Sequence, residues 1–167
     1  FAFARYCPTS EDKDVGIAPL RYRRLLEDCD RIFKNYEAAG CQTYFNKKDH
    51  LWTLYEYETG KFQIPKTAQP GLIYGGCNCG NCHLSILPSG DVFACRRVLD
   101  SKVGNVLENR LADIWLCQME TYRDYTKFEK CSKCELLAFC RGCPAVASGR
   151  DGNFYGADPQ CWKEVKA

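Results

Sequence analysis

The chain has little of several features that mark common classes of protein. Its 167 residues include one methionine and two histidines, and the formal net charge is only +2. Basic residues form no tract, so nucleic acid is not an expected partner. The apolar runs all fall well short of the roughly 20 residues that span a bilayer, and no signal peptide is recognisable. We therefore expect a cytoplasmic protein that binds neither nucleic acid nor membranes.

Cysteine, by contrast, is abundant: the chain has thirteen, most of them after Gly76. An odd number cannot all pair as disulfides, and C-x2-C spacings without a secretory signal are typical of metal sites in a reducing compartment. Thiolates select zinc, copper(I) or iron–sulfur clusters over hard cations. The sequence therefore predicts soft-metal binding by two groups of cysteines. The first group is Cys77, Cys79, Cys82 and Cys95, and the second is Cys131, Cys134, Cys140, Cys143 and Cys161.

The part of the chain before these groups follows a different pattern. Residues 1–4 are apolar and could form the end of a buried strand. From Pro19, apolar side chains recur every three or four residues, which predicts an amphipathic helix that ends just before Gly40. A second helix is expected over residues 49–58. The Pro- and Gly-rich region 61–76 lacks periodicity and is expected to be a linker.

Short segments near the cysteines carry further information. Residues 86–95 read Ile-Leu-Pro-Ser-Gly-Asp-Val-Phe-Ala-Cys, and the turn at their centre predicts a β-hairpin. Residues 103–106 read Val-Gly-Asn-Val, and residues 111–115 read Leu-Ala-Asp-Ile-Trp. In the first cysteine group, twelve residues separate the first cysteine from Gly90, and four more precede the last cysteine.

These spacings and segments resemble the SPASM domain, which is found at the C-terminal end of many radical S-adenosylmethionine enzymes. That family carries C-x9–15-G-x4-C, then C-x2-C-x5-C-x3-C, and then one more cysteine. The resemblance covers roughly residues 72–162 and has one departure. Two residues, instead of three, separate Cys140 from Cys143.

The resemblance implies two auxiliary [4Fe–4S] clusters, with the last cysteine of the short string crossing over to the first cluster. Auxiliary cluster II would be bound by Cys131, Cys134, Cys140 and Cys161. Auxiliary cluster I would be bound by Cys77, Cys95 and Cys143, with Cys82 as the preferred fourth ligand and Cys79 as the alternative. Because the gap before Cys143 is one residue shorter than in the family, the alternative that Cys143 lies away from cluster I stays open. No catalytic residue is assigned.

The cysteines and histidines outside these ligand sets have simpler expected roles. Cys29 and Cys117 are expected to pack in hydrophobic cores, because free cysteine is often buried. His50 is expected to be exposed in the first turn of the second helix, and His83 is a minor candidate for contact with cluster I. Cys7 follows the expected strand, and in barrels the strand ends face the substrate.

The expected fold class is α+β. A small, loop-rich cluster domain with a short β-hairpin and helices occupies residues 77–167, and residues 61–76 link it to residues 1–60. The resemblance implies that residues 1–60 are the last strand and helices of a partial TIM-type (β/α)6 barrel. The C-x3-C-x2-C triplet that binds the catalytic cluster of radical enzymes does not occur in this sequence. We therefore expect this chain alone to be inactive, with S-adenosylmethionine and a third [4Fe–4S] cluster in a missing catalytic domain.

The resemblance also implies a function. The domain would serve a radical S-adenosylmethionine enzyme that modifies a precursor peptide or protein, through electron transfer, substrate binding or both. Ferredoxin or flavodoxin would supply electrons to the full enzyme. A second hypothesis, from a different class, is a structural or interaction module with two zinc sites, each bound by four cysteines. Iron and acid-labile sulfide content distinguishes the two hypotheses.

Overall fold

A computed structural model describes residues 1–9, 11–12 and 15–165 of the chain. The described residues combine four α-helices with a three-stranded antiparallel sheet, which confirms the expected α+β class. In chain order the elements are α1 (Pro19–Ala38), α2 (Leu51–Glu58), β1 (Ser85–Ile86), β2 (Asp91–Phe93), β3 (Lys102–Asn105), α3 (Leu111–Leu116) and α4 (Pro144–Asp151). Short 3₁₀ turns lie at Leu99–Ser101, Gln118–Arg123, Tyr125–Lys127 and Cys131–Lys133.

Helix α1 begins and ends where the sequence predicts. Pro19 lies in the first turn, where the N–H that proline lacks has no partner in the helix. Gly40 follows the helix with a φ of 74°, in the left-handed region that glycine adopts without strain. One stripe of the helix is buried, and it consists of Tyr22, Leu26, Asp30 and Phe33.

One hydrophobic core joins helices α1 and α2 to the second cysteine group. Trp52 and Leu54 of α2 are buried in this core together with Leu136 and Cys140. Cys161 packs against its edge. Each large apolar side chain buried here contributes about 1.5–3 kcal/mol. The cysteines of the second group therefore lie against a packed helical core, although few regular elements surround them.

The sheet is built on the predicted hairpin. Strands β1 and β2 pair antiparallel, with Ser85 opposite Phe93 and Ile86 opposite Val92. Gly90 lies in the connecting turn with a φ of 85°, and a Cβ atom there would lie 2.6 Å from the side-chain oxygen of Asn105. Glycine is therefore required at this turn. The hairpin returns the chain toward the first cysteine group.

The N-terminal segment is fixed to the cysteine-rich part at two points. The buried guanidinium of Arg5 donates to both carboxylate oxygens of Asp158, at 2.7 and 2.8 Å, and to Asp49 at 2.7 Å. Farther along, Pro8 lies against Gly149 of α4, where a Cβ atom would overlap the Pro8 carbonyl oxygen. Segment 5–8 is thus held by a buried ion pair and by a contact that only glycine allows.

Several sequence-based boundaries stay predictions. Residues 61–76 contain no helix or strand, but the division of the chain into residues 1–60 and 77–167 is not tested. Where the last strand of a barrel was expected, the described residues show a single parallel bridge between Ala2 and Asn46. The partial barrel stays a prediction. Among the described helices, none is long and apolar enough to cross a membrane.

Candidate metal centre

Four cysteines of the second group converge on a small cavity of about 20 Å³, named here the inner cavity. These are the four residues predicted for cluster II, and the structure brings all of them together. Hydrophobic side chains from the main core close one side. The lining residues are Leu54, Cys131, Cys134, Leu136, Cys140, Gly142, Asp158, Cys161 and Lys163.

Local turns position these four thiols. The Cys134 N–H donates to the carbonyl of Cys131 at 3.0 Å and closes the 3₁₀ turn there. The Cys140 N–H donates to the carbonyl of Leu136 at 2.7 Å, and the Cys161 N–H donates to the carbonyl of Asp158 at 3.0 Å. Because each turn satisfies backbone groups locally, three separated stretches of chain can present their sulfurs to one cavity.

Burial dominates the electrostatics of the inner cavity. It raises the pKa of the Cys131 and Cys140 thiols to about 12, and it also raises the pKa of Cys134. Neighbouring thiols add to the effect, because closely spaced thiolates repel one another. A cationic centre would reverse these shifts, because thiol deprotonation and metal binding are coupled.

A second cavity of about 230 Å³, named here the outer cavity, lies at the first cysteine group. Of the residues predicted for cluster I, Cys77, Cys95 and Cys143 line it. Cys79 lines it as well, whereas Cys82 is exposed and lies outside the lining. The full lining is His50, Cys77, Asn78, Cys79, His83, Ser85, Cys95, Arg96, Arg97, Cys143 and Ala145.

The loop that carries Cys79 and Cys82 is shaped by a close approach to Tyr122. Gly80 in this loop has a φ of 74°, and a Cβ atom there would lie 2.7 Å from the Tyr122 Cβ atom. The Arg123 Nε atom donates to the Gly80 carbonyl at 2.7 Å. Because Gly80 is held in this way, Cys79 lines the outer cavity and Cys82 faces solvent.

Contacts with neighbouring polar groups cause the largest pKa shifts among the thiols of the outer cavity. The Cys79 thiol lies between Cys77 and Cys95 and lowers the pKa of both. The same two partners raise the pKa of Cys79 itself. Two smaller contributions act in the same direction: His50 lowers the pKa of Cys77, and Arg97 lowers the pKa of Cys95. Hydrogen-bonding and cationic neighbours in the outer cavity thus favour the thiolate form of Cys77 and Cys95.

Cys7 lies beside the outer cavity, although it is far from the other cysteines along the chain. The adjacent Cys143 thiol lowers the pKa of Cys7, and Cys7 in turn raises the pKa of Cys143. Arg97 donates from Nη1 to the Cys7 sulfur at 3.0 Å. Local sequence patterns carry no signal for this long-range contact, and sequence reasoning associated Cys7 only with a strand end.

The inner and outer cavities share walls. The Cys140 thiol donates to the backbone carbonyl of His50 at 3.4 Å, and His50 also lines the outer cavity. A Cβ atom on Gly76 would lie 3.4 Å from the Cα atom of Cys140. Asp158 lines the inner cavity and accepts from the Cys143 N–H at 2.8 Å. A candidate ligand of each cavity therefore contacts a residue that lines the other: Cys140 contacts His50, and Cys143 contacts Asp158.

Predictions for the remaining residues have mixed outcomes. Cys29 packs against the main core, as expected. The expectation that Cys117 is buried is wrong: helix α3 ends at the preceding residue and buries Ile114, leaving Cys117 exposed. His50 was expected to be exposed, but it is half-buried at the start of α2. His83 is exposed and lines the outer cavity.

The donor sets fit iron–sulfur clusters, because four thiolates are what a [4Fe–4S] cluster requires. Each cavity presents that number, counting Cys79 in the outer one. Within residues 1–9, 11–12 and 15–165, no group of three or more His, Cys, Asp or Glu side chains is arranged to hold a single metal ion.

Comparison with protein families agrees with this donor chemistry. Residues 77–144 match the family model of SPASM, described as an iron–sulfur cluster-binding domain. The resemblance drawn from the sequence is thereby confirmed for these residues. The match contains every candidate ligand except Cys161. Neither curated proteins nor solved structures gave a match to the chain.

Proposed function

We propose that this chain binds two [4Fe–4S] clusters, one in each cavity. The observation that carries the proposal is that each cavity gathers four thiols from separate parts of the chain. Cluster II would be bound in the inner cavity by Cys131, Cys134, Cys140 and Cys161. Cluster I would be bound in the outer cavity by Cys77, Cys79, Cys95 and Cys143.

The choice of Cys79 over Cys82 as the fourth ligand of cluster I rests on placement. Cys79 lines the outer cavity between two other thiols, whereas Cys82 is exposed. The resemblance favours Cys82, and the packing of Gly80 against Tyr122 favours Cys79. Cys79 already lines the cavity without any change in the loop, and we therefore assign it as the fourth ligand.

We further propose that the domain is the auxiliary part of a radical S-adenosylmethionine enzyme that modifies a peptide or protein. The SPASM match supports this, because that domain occurs in such enzymes. Two bound clusters would supply one-electron redox chemistry next to the substrate. S-adenosylmethionine and a third [4Fe–4S] cluster would belong to a catalytic domain outside this chain. The partners would be a precursor peptide or protein and ferredoxin or flavodoxin, in a cytoplasm that keeps thiols reduced.

The chain's own residues divide this work between the two cavities. Around the inner cavity, Leu54 and Leu136 exclude water from the thiols. Around the outer cavity, Ser85, Arg96 and His83 present polar groups at a more accessible site. We infer that the inner cavity holds a closed electron-transfer centre and that the outer cavity faces the peptide.

Metal content tests the proposed function directly. After anaerobic reconstitution and desalting, we expect about eight iron and eight sulfide per chain, the content of two four-iron clusters. Iron, acid-labile sulfide and zinc are measured on the same sample. Zinc in place of iron would establish the zinc module instead. An iron count of about four would mean that only one cavity assembles a cluster.

A further inference from the structure

We propose that Cys7 is a positioning residue for cluster I, whose thiol donates a hydrogen bond to the sulfur of Cys143 while Arg97 holds it in place. This role rests on the proposed function, because it requires Cys143 to be bound to iron. Neither the SPASM resemblance nor the family match, which begins at residue 77, assigns any role to Cys7.

The chain is anchored by contacts on both sides of Cys7. Arg5 is buried in its ion pair with Asp158, and Asp158 also accepts from the backbone N–H of Cys143. On the other side, Pro8 is seated against Gly149 of α4. The two anchors hold the short segment between them, so the position of the Cys7 thiol beside Cys143 is set by the fold.

The side-chain contacts place Cys7 behind Cys143 as seen from the outer cavity. Cys143 lines that cavity, whereas Cys7 lines an adjacent open cleft of about 920 Å³. Arg97 lines both spaces and donates to the Cys7 sulfur at 3.0 Å. Cys7, Cys95 and Cys143 also pack against one hydrophobic cluster. This placement suits a hydrogen-bonding neighbour of a ligand better than a ligand.

The direction of the hydrogen bond follows from iron binding. A cysteine that binds iron is deprotonated, so the hydrogen between the two sulfurs belongs to Cys7 and points toward Cys143. Hydrogen bonds to ligand sulfurs tune the reduction potential of a cluster. They stabilise the reduced form, which carries more negative charge, and the positive charge of Arg97 acts in the same sense. Cys7 and Arg97 therefore make cluster I a better electron acceptor.

The test is a redox titration of the reconstituted chain, followed by electron paramagnetic resonance. The Cys7→Ala variant should lower the midpoint potential of cluster I and leave that of cluster II unchanged. Cys7→Ser keeps a donor at the same place and should restore most of the shift. Arg97→Gln should also lower the same potential, because it removes the positive charge and the contact that holds Cys7 in place. The exposed Cys117 supplies the matched control, and Cys117→Ala should behave as the unaltered chain. A Cys95→Ala sample identifies the signal of cluster I by its loss.

Iron and sulfide counts on each sample separate the possible failures. An unaltered chain that binds no iron refutes the proposed function itself. If the unaltered chain has both clusters but Cys7→Ala has about half the iron, Cys7 is a ligand and the positioning role is overturned. Full iron in Cys7→Ala with an unchanged potential also overturns it. A lowered potential that Cys7→Ser restores supports the hydrogen bond, because a general loss of structure would shift both clusters.

Discussion

The two cavities contain the same kind of donor in opposite surroundings. The inner cavity has a volume of about 20 Å³, and burial raises the pKa of its Cys131, Cys134 and Cys140 thiols. The outer cavity has a volume of about 230 Å³, and its thiols lie beside histidine, arginine and a solvent-facing loop. The inner one shares Leu136 and Cys140 with the main core. The outer one lies where loops meet.

With clusters bound as proposed, this difference would give chemically identical ligands different tasks. A cluster in the inner cavity would replace missing packing inside the core, so its loss should affect folding first. A cluster in the outer cavity would be bound by loops, so its loss should affect reactivity first. His50, Asp158 and the backbone of Gly76 lie between the two sites and contact residues of both.

The largest effect is expected from removing an inner ligand. Cys134→Ala should lose cluster II and much of the cooperative unfolding transition, because metal binding contributes folding free energy directly in such sites. Cys95→Ala should lose cluster I with a smaller decrease in melting temperature. Circular dichroism and thermal unfolding, with iron counts on the same samples, measure both. Equal decreases in stability would remove the distinction between the cavities.

The next effect concerns the fourth ligand of cluster I. Cys79→Ala should reduce iron by about half, because one of two four-iron clusters is lost, whereas Cys82→Ala should retain all of it. The two residues lie in the same loop, so each variant is the control for the other. The reverse result would show that the loop rearranges when the cluster binds. Retention of iron in both variants would indicate a cluster I with an open iron, able to bind substrate directly.

A chelator compares the two cavities within a single molecule. With an excess of a water-soluble iron(II) chelator under anaerobic reducing conditions, iron should leave in two phases of about equal amplitude, one for each four-iron cluster. The fast phase should come from the more open outer cavity. Cys95→Ala should lack that phase and keep the slow one. A single phase in the unaltered chain would mean that access does not differ between the cavities.

The parts of the fold and site that the sequence predicted are those set by local pattern. Helix α1 follows its apolar periodicity from Pro19, and the hairpin follows its turn. The string from Cys131 to Cys140 converges because its spacing places short turns between its thiols. These features depend on neighbours in the chain, so they can be predicted without a structure.

The features that the sequence left open or missed depend on contacts between distant segments. The packing of Gly80 against Tyr122 turns Cys79 toward the outer cavity, and no sequence pattern near Gly80 predicts this contact. Cys7 lies beside Cys143 because segment 5–8 is anchored to the C-terminal part of the chain, through Arg5 and Asp158. The sequence placed His50 correctly at the start of α2 but predicted it to be exposed, whereas it is half-buried. The exposure of a cap residue depends on which distant segments pack over it.

The smallest effect is expected in the helical core, away from both cavities. Asp30 of α1 is 5% exposed, and its carboxylate accepts from Lys34 at 3.1 Å and from Lys47 at 3.5 Å. Burial raises its pKa, but hydrogen bonds from Lys61 and Lys34 outweigh burial and leave the pKa lowered. A lowered pKa means that the contribution to stability is present at neutral pH and is lost as the pH falls below about 4.

Asp30→Asn should therefore lower the free energy of unfolding by roughly 1 kcal/mol at neutral pH, because its lysine partners are partly exposed and water screens the pairs. Iron content should not change, since the core that this residue supports stays packed. The exposed Asp28, paired on the surface with Arg31 at 3.0 Å, supplies the control, and Asp28→Asn should have a smaller effect. Denaturant unfolding with iron counts measures both variants. A loss of iron in Asp30→Asn would show that helix α1 and the inner cavity depend on each other more strongly than their shared core suggests.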